Sequence, residues 1–487
     1  MHISNHKNKS NIVFLILGLA IACYILLRAY FVDITDDEAW SFYNVKKFWY
    51  VETLCSGNTH WFNFAAIKVA LLLGLEKSWQ IRWFSVFAGI TFLFMGYSWI
   101  KTLQGFYLKL FAFSLVFLNP YLLEYLTLAR GYSAGLCFMV LTLYFFIKSI
   151  SENEKRQWAF LALVFGGFSA VANFAFFYFF VAFSVAYFYH YYFKNGFDFF
   201  KKKSFYVDLF YAIGIVCLVL RALLFIRECA NDLSEFGGED LVTSVFGSFI
   251  DTLLYGNLSL HPTCKYVLSI TLFIIILGAS VFGILKFKTH ANKLYLYTSL
   301  ILFGMLFLTV FNKWIFNVLY PTERTALMFY PLMSIVVVQF FYYIQIKLVF
   351  RKSILYLISI MLIVNFSFNI KLISGYDHPY CMNTKPYFDY LSTLNPNKVG
   401  LSAEVYFVFL KYYQITNCQF QGEQINEYKI PERWRFNNKL EDFEYVLLLP
   451  PYDLSFYKNS KVKLKTIKFF PKTKAIIIKV TPYLVTN

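Results

Sequence analysis

Apolar runs of about twenty residues recur along most of this chain, separated by short polar stretches that often carry lysine. About twenty helical residues are needed to cross a hydrocarbon core of roughly 30 Å. The pattern predicts eleven membrane-spanning helices, near 12–31, 80–100, 106–126, 132–149, 157–173, 175–193, 207–226, 266–285, 294–311, 325–346 and 353–370. One further segment, "WFNFAAIKVALLLGL" (Trp61–Leu75), is apolar but short. A span there would invert every later loop, so it is assigned to a helix lying in the outer interface, with Lys68 reaching for headgroups. After Lys371 the pattern changes to polar, turn-rich sequence with short strand-like runs such as "YVLLLP" and "AIIIKV". The fold class is therefore an all-α polytopic membrane domain, residues 1–370, with an outer loop at 32–79, followed by a small extracytoplasmic α/β domain at 371–487.

Composition agrees. The chain is 59% hydrophobic and only 15% charged, where a soluble domain carries roughly a quarter charged residues. The formal charge of +17 would suggest nucleic acid on a soluble chain. Here it falls largely in short loops: those of Lys101 and Lys109, "KSISENEKR", "KNGFDFFKKK", "KFKTHANK" and "KLVFRKS". Lysine and arginine bias such loops to the cytoplasm, so the charge sets topology and calls for no nucleic-acid partner. The N-terminus is then inside, and the acid- and aromatic-rich loops "DITDDEAW", "RECANDLSEFGGED…HPTCK" and "FNKWIFNVLYPTER" are outside with the tail. "AIAC" at Ala20–Cys23 resembles a weak lipoprotein cleavage site, but the apolar run continues through "YILL", as an uncleaved span would.

Cys23, Cys137 and Cys217 fall in predicted spans as small apolar packers. Cys55, Cys229, Cys264, Cys381 and Cys418 fall outside, with Cys229–Cys264 and Cys381–Cys418 as candidate disulfides. No Cys/His spacing suggests zinc, and no Walker-type or dinucleotide glycine pattern is present.

Three clusters can carry chemistry. Asp36, Asp37 and Glu38 directly follow the first span, where a solvated loop competes with a reactive site. In "LNPYLLEYLTLARGYSAG", Asn119-Pro120 interrupts an apolar run and brings Glu124 and Arg130 toward the outer surface, as a structural ion pair or as an anion site. Lys313 and Arg324 flank the short outer loop of "WIFNVLYPTERTALMFYPL"; a lone arginine there is ordinarily a snorkelling anchor. His60 and His261 share the outer side.

Together these features resemble the GT-C type of lipid-donor glycosyltransferases, and most of all the glycosyltransferase family 39 group, which includes protein O-mannosyltransferases and aminoarabinose transferases. The resemblance covers roughly residues 10–350. Asp37, Glu38, Ala39 and Trp40 take the family's D-E-a-y motif. His60 takes the histidine of H-P-P-L, with Trp61 and Phe62 in place of the prolines, and Arg82 takes the next arginine. Pro120, Arg130 and Tyr132 fit the fourth motif, where Leu128 replaces a frequent Glu and Glu124 stands one turn earlier. Arg324 and Pro331 fit R-x(6)-P.

The resemblance implies an enzyme of the bacterial inner (cytoplasmic) membrane, transferring a sugar from a polyprenyl-phosphate donor to an acceptor hydroxyl on a glycan, lipid or protein. Asp37 would be the general base of one inverting displacement, with Glu38 as its catalytic helper, orienting acceptor or sugar hydroxyls. Arg130, Arg324 and Lys313 would hold the departing phosphate. Glu124, His60, Tyr132 and Arg82 would orient substrate. No cofactor or metal is required, although clustered acids bind a divalent ion in some relatives. Two alternatives remain open at this point: a glycan polymerase or ligase using a lipid-pyrophosphate donor, and a non-enzymatic transporter of lipid-linked sugar.

Overall fold

The computed structural model describes residues 2–47, 60–151, 155–230, 237–255, 261–286, 292–344, 348–373, 375–376, 384–416, 420–424, 442–450 and 462–482. The chain forms two compact units. The first comprises Met1–Leu27, Val51–Ala66 and Arg82–Ile370; the second comprises Arg28–Tyr50, Ile67–Ile81 and Lys371–Asn487.

Among the described residues of the chain, nine helices are long and apolar enough to cross a membrane. A tenth apolar stretch is divided: Phe106–Phe117 and Pro120–Thr127 meet at a 53° bend. The cause is local. Pro120 has no N–H to continue the first helix, and Asn119 restarts the second by accepting the Leu122 N–H at 3.0 Å. The eleventh predicted span, 157–173, is the helix Arg156–Ala172, apolar but at 17 residues shorter than the others. The chain is a multi-pass membrane protein.

Small residues let the helices of the first unit approach closely. Gly135 lies against the Phe176 ring, leaving no room for a Cβ, and its carbonyl accepts the Ser169 hydroxyl at 2.8 Å. Phe146 sits at the centre of a cluster with Phe183, Tyr187 and Tyr297. One buried charge of this unit is paired, as a low-dielectric surrounding favours. Buried Asp208 receives the Arg156 guanidinium and, at 2.7 Å, the Tyr187 hydroxyl. This triad ties together Arg156–Ala172, Phe177–Asn195 and Lys203–Ala230.

The second unit contains a five-stranded mixed sheet, β1 (Lys398–Leu401), β2 (Gln421–Gln424), β3 (Tyr445–Leu448), β4 (Val462–Phe470) and β5 (Ala475–Pro482), in the order β2-β1-β3-β5-β4. β1 runs parallel to β2 and β3, while β5 runs antiparallel to β3 and β4. The strand-like runs of the sequence are β3 and β5. They pair Val446 with Ile478 and Leu448 with Ile476, placing alternate residues in one core with Phe443, Val462 and Val480.

Whereas the sequence suggests a single boundary at 370, the polar segment after the first span packs with the tail. Helix Asp36–Lys47 lies against Ala403–Val408 and the turn after it, with the Phe42 and Tyr412 rings edge to face at 5.1 Å. Lys46 pairs with Glu76 at 2.8 Å, and the Tyr412 hydroxyl donates to the Glu76 carbonyl at 2.9 Å. Arg28 donates to the Lys371 carbonyl, and the Lys385 N–H to Asp33 at 2.9 Å. Lys68, expected to reach for headgroups, instead directs its ammonium to the Val45 carbonyl at 3.5 Å.

Candidate active site

The three acids form the first turn of a helix and not a solvated loop. Thr35-x-x-Glu38 is a capping box. Glu38 Oε2 accepts the Thr35 N–H at 3.0 Å and the Thr35 hydroxyl at 3.2 Å, while Thr35 Oγ1 accepts the Glu38 N–H at 3.3 Å. Glu38 is fully buried. Asp36 accepts the Asp37 N–H at 2.8 Å and faces Lys411, whose ammonium lies 5.8 Å from the centre of the Trp40 ring. Burial pulls the Lys411 pKa down, and the charge of Asp36 pushes back. Asp37 is also buried, and its backbone carbonyl accepts the Ser41 hydroxyl at 3.0 Å. Negative charge in this turn sits at the favourable end of the helix dipole.

In the first unit, the turn Leu128–Arg130 links helix Pro120–Thr127 to Gly131–Ser151, and residues distant in sequence gather around it. Arg130 is buried, its guanidinium 6.0 Å from the centre of the Tyr132 ring. Tyr132 also meets His60, ring to ring at 5.8 Å. Asn63 donates to the Ala129 carbonyl at 2.5 Å. A Cβ on Gly131 would stand 2.0 Å from the Ala172 carbonyl and 2.8 Å from His60 Nδ1, so only glycine fits between them.

His60 is 4% exposed, and neither ring nitrogen has a hydrogen-bond partner among the described residues. Burial, aided by the positive charge of Arg324, lowers its pKa from 6.5 to about 3. It is therefore a neutral imidazole, with one N–H to donate and one nitrogen to accept. Trp61 Nε1, Asn63 Oδ1 and Asn173 Nδ2 are further buried atoms with no hydrogen-bond partner among the described residues. Buried polar groups are ordinarily satisfied. Two of these residues border the turn, His60 through Gly131 and Asn63 through the Ala129 carbonyl, and their unsatisfied atoms are suited to meet a polar ligand.

Glu124, fully buried, accepts the Tyr255 hydroxyl at 2.5 Å. Tyr255 ends helix Ser248–Leu254 in the left-handed region at φ 52°, a conformation costly for a bulky side chain. Glu323, beside Arg324, has φ 45° and donates its N–H to Ser248 at 2.7 Å.

The remaining residues are placed as follows. Arg82 is fully buried before helix Trp83–Thr102. Lys313 is committed to an ion pair with Glu239 at 2.5 Å. His261 caps helix Pro262–Leu285 by accepting the Thr263 N–H at 3.4 Å. Pro331 occupies the first turn of Tyr330–Tyr343. Cys23, Cys137, Cys217 and Cys264 are free thiols; Cys55, Cys381, Cys418 and the Cys229 side chain lie outside the described residues. Among the described residues no three His, Cys, Asp or Glu side chains gather as metal ligands would.

Sequence reasoning passed over Tyr255, Asn63, Asn173 and Lys411. The T-x-x-E spacing at 35–38 was available as a signal for the capping box; the contacts of the other four are set by tertiary packing.

No protein-family model matches this chain, and no curated protein sequence does. Solved structures do. ArnT from Cupriavidus metallidurans in the apo state is 9% identical, with a TM-score of 0.53 over 95% of this chain and 97% of that one. The same protein bound to undecaprenyl phosphate gives 9% identity and a TM-score of 0.50, over 96% and 97%. The chain has a GT-C-type glycosyltransferase fold.

Proposed function

We propose that this protein is a membrane glycosyltransferase that moves a sugar from a polyprenyl-phosphate donor to an acceptor hydroxyl. The observation carrying this reading is the buried polar surface around Leu128–Arg130, where Arg130, Tyr132, the uncharged His60 and the charge of Arg324 come together. Such a surface suits a phosphate monoester or diester. Two guanidiniums balance its charge, and a neutral imidazole donates a hydrogen bond without adding a third cation. The fold supports the reading, since a chain of the same fold binds undecaprenyl phosphate.

In the reaction, the acceptor oxygen forms a bond to the sugar C1 as the bond from C1 to the phosphate oxygen breaks. One displacement inverts the configuration. Negative charge grows on the leaving phosphate beyond the single charge of the bound donor, and Arg130 and Arg324 stabilise this added charge as the C1–O bond breaks. Asp37 takes the acceptor proton, a role resting on its position in the D-E-A-W motif. Glu38 shapes the turn that presents it. The site is assigned to the outer face of a bacterial cytoplasmic membrane, on the lysine asymmetry of the loops.

The test is release of lipid phosphate from a panel of polyprenyl-phosphate sugars by the purified protein. Wild-type protein releases it from at least one donor, and Asp37→Asn, normally inserted, does not. Full transfer by Asp37→Asn would remove that residue from the base role; absence of release across the panel, with transfer from a pyrophosphate-linked donor, would favour the polymerase or ligase reading.

A further inference from the structure

We propose that the groove between helices Phe177–Asn195 and Lys203–Ala230 is a binding site for an anionic glycerophospholipid, one acyl chain in the groove and the phosphate on the lysines beside it. The groove has a volume of about 520 Å³ and is lined by Val181, Val185, Phe188, Tyr192, Ala212 and Ile213 among others. Its size lies within the roughly 300–1,000 Å³ of small-molecule sites. Its lining offers an alkyl chain continuous apolar contact and gives a polar headgroup almost nothing.

Phe200 also lines the groove. Phe200 comes from the short helix Asp198–Lys201 and packs on Tyr192 at 5.5 Å and Phe205 at 5.1 Å. The next three residues along the chain are cations. Between 194 and 203 the sequence holds four lysines and one aspartate. Lys201 pairs with Asp198 at 2.9 Å, both side chains more than three-quarters exposed. Lys202 donates to Asn195 at 2.8 Å, and Lys203 is exposed. An exposed ion pair is weak and readily exchanged, so these ammoniums can turn to a phosphate. An apolar slot beside a cluster of lysines matches a phospholipid in both parts. Basic pockets between spans are a recurring mode of anionic-lipid recognition. A zwitterionic lipid would bring its own cation against the lysines, and so the charge selects the anionic one. This site is independent of the sugar-transfer surface.

The experiment titrates the delipidated full-length protein in nonionic detergent with dioleoyl phosphatidylglycerol or dioleoyl phosphatidylcholine, read by native mass spectrometry. Wild-type protein should prefer phosphatidylglycerol. The pair Lys202→Gln and Lys203→Gln should weaken phosphatidylglycerol binding roughly fivefold per lysine and leave phosphatidylcholine unchanged. Ala212→Leu, which fills the groove, should weaken both. Equal affinity of the wild type for the two lipids overturns the proposal and needs no variant to fold. A preference that survives the lysine pair, or undiminished affinity for both lipids in Ala212→Leu, overturns it too, because the lipid then sits elsewhere.

Discussion

The low pKa of His60 makes stability depend on pH in a way that can be measured. Its folded value of about 3 lies below the 6.5 of an exposed histidine, because burial and then the charge of Arg324 oppose protonation. The unfolded chain therefore takes up a proton first. Above pH 6.5 both states are neutral at this residue and its contribution is fully present. Below 6.5 that contribution is lost progressively until the folded state also protonates near 3. Each pH unit in that window costs about 1.4 kcal/mol. Lowering the pH from 7.5 to 5.0 traverses about 1.5 units of it, a loss of about 2 kcal/mol assignable to His60. Carboxylates also titrate on acidification, so the informative quantity is a difference. His60→Gln keeps a neutral polar side chain without the titration. Unfolding of both proteins in detergent at pH 7.5 and 5.0, followed by intrinsic fluorescence, should show the wild type losing about 2 kcal/mol more than the variant. Arg324→Gln removes only the secondary cause, so it should leave the difference between pH 7.5 and 5.0 nearly unchanged and raise the pH at which the folded protein itself protonates. Equal losses in wild type and His60→Gln would mean that the imidazole is solvated or paired in the folded protein, and the polar surface described around it would have to be abandoned.

Other substitutions probe the same two regions. Gly131→Ala forces a methyl against the Ala172 carbonyl and His60, and should destabilise by about 1–3 kcal/mol as overpacking does, with lipid-phosphate release falling more steeply than the yield of folded protein. Thr35→Ala removes half of the capping box and should lower stability by about 1 kcal/mol in a thermal melt. Glu38→Gln preserves the box, since glutamine serves in it as well, and should retain most sugar transfer; loss of transfer in a stable Glu38→Gln protein would restore a catalytic part for its charge. Tyr255→Phe strips Glu124 of its hydroxyl partner and should cost about 1–3 kcal/mol, visible as a lowered melting temperature.

The parts of this fold legible in the sequence are those governed by solvation. A run such as Pro262–Leu285 is helical and apolar for reasons internal to itself, and β3 and β5 announce themselves by branched, apolar runs bounded by turns. Asn119-Pro120 marked its own break as well, because a missing N–H and a capping side chain act within one turn. What escaped were partners chosen by the tertiary structure. Lys68 is long enough to snorkel, and hydropathy alone sends it to the headgroups; the Val45 carbonyl happens to stand within its reach. His261 and His60 look alike as outer-side histidines. One caps a helix in an exposed position and the other is enclosed, and that difference depends on Gly131 and Ala172, which adjoin His60 only in the fold. The acids illustrate both kinds of legibility. Their clustering after the first span was plain, yet clustering could not say which of them is structural. The Thr35 hydroxyl adds what clustering lacked: it engages Glu38 in the helix start, while the capping box does not use the Asp37 carboxylate.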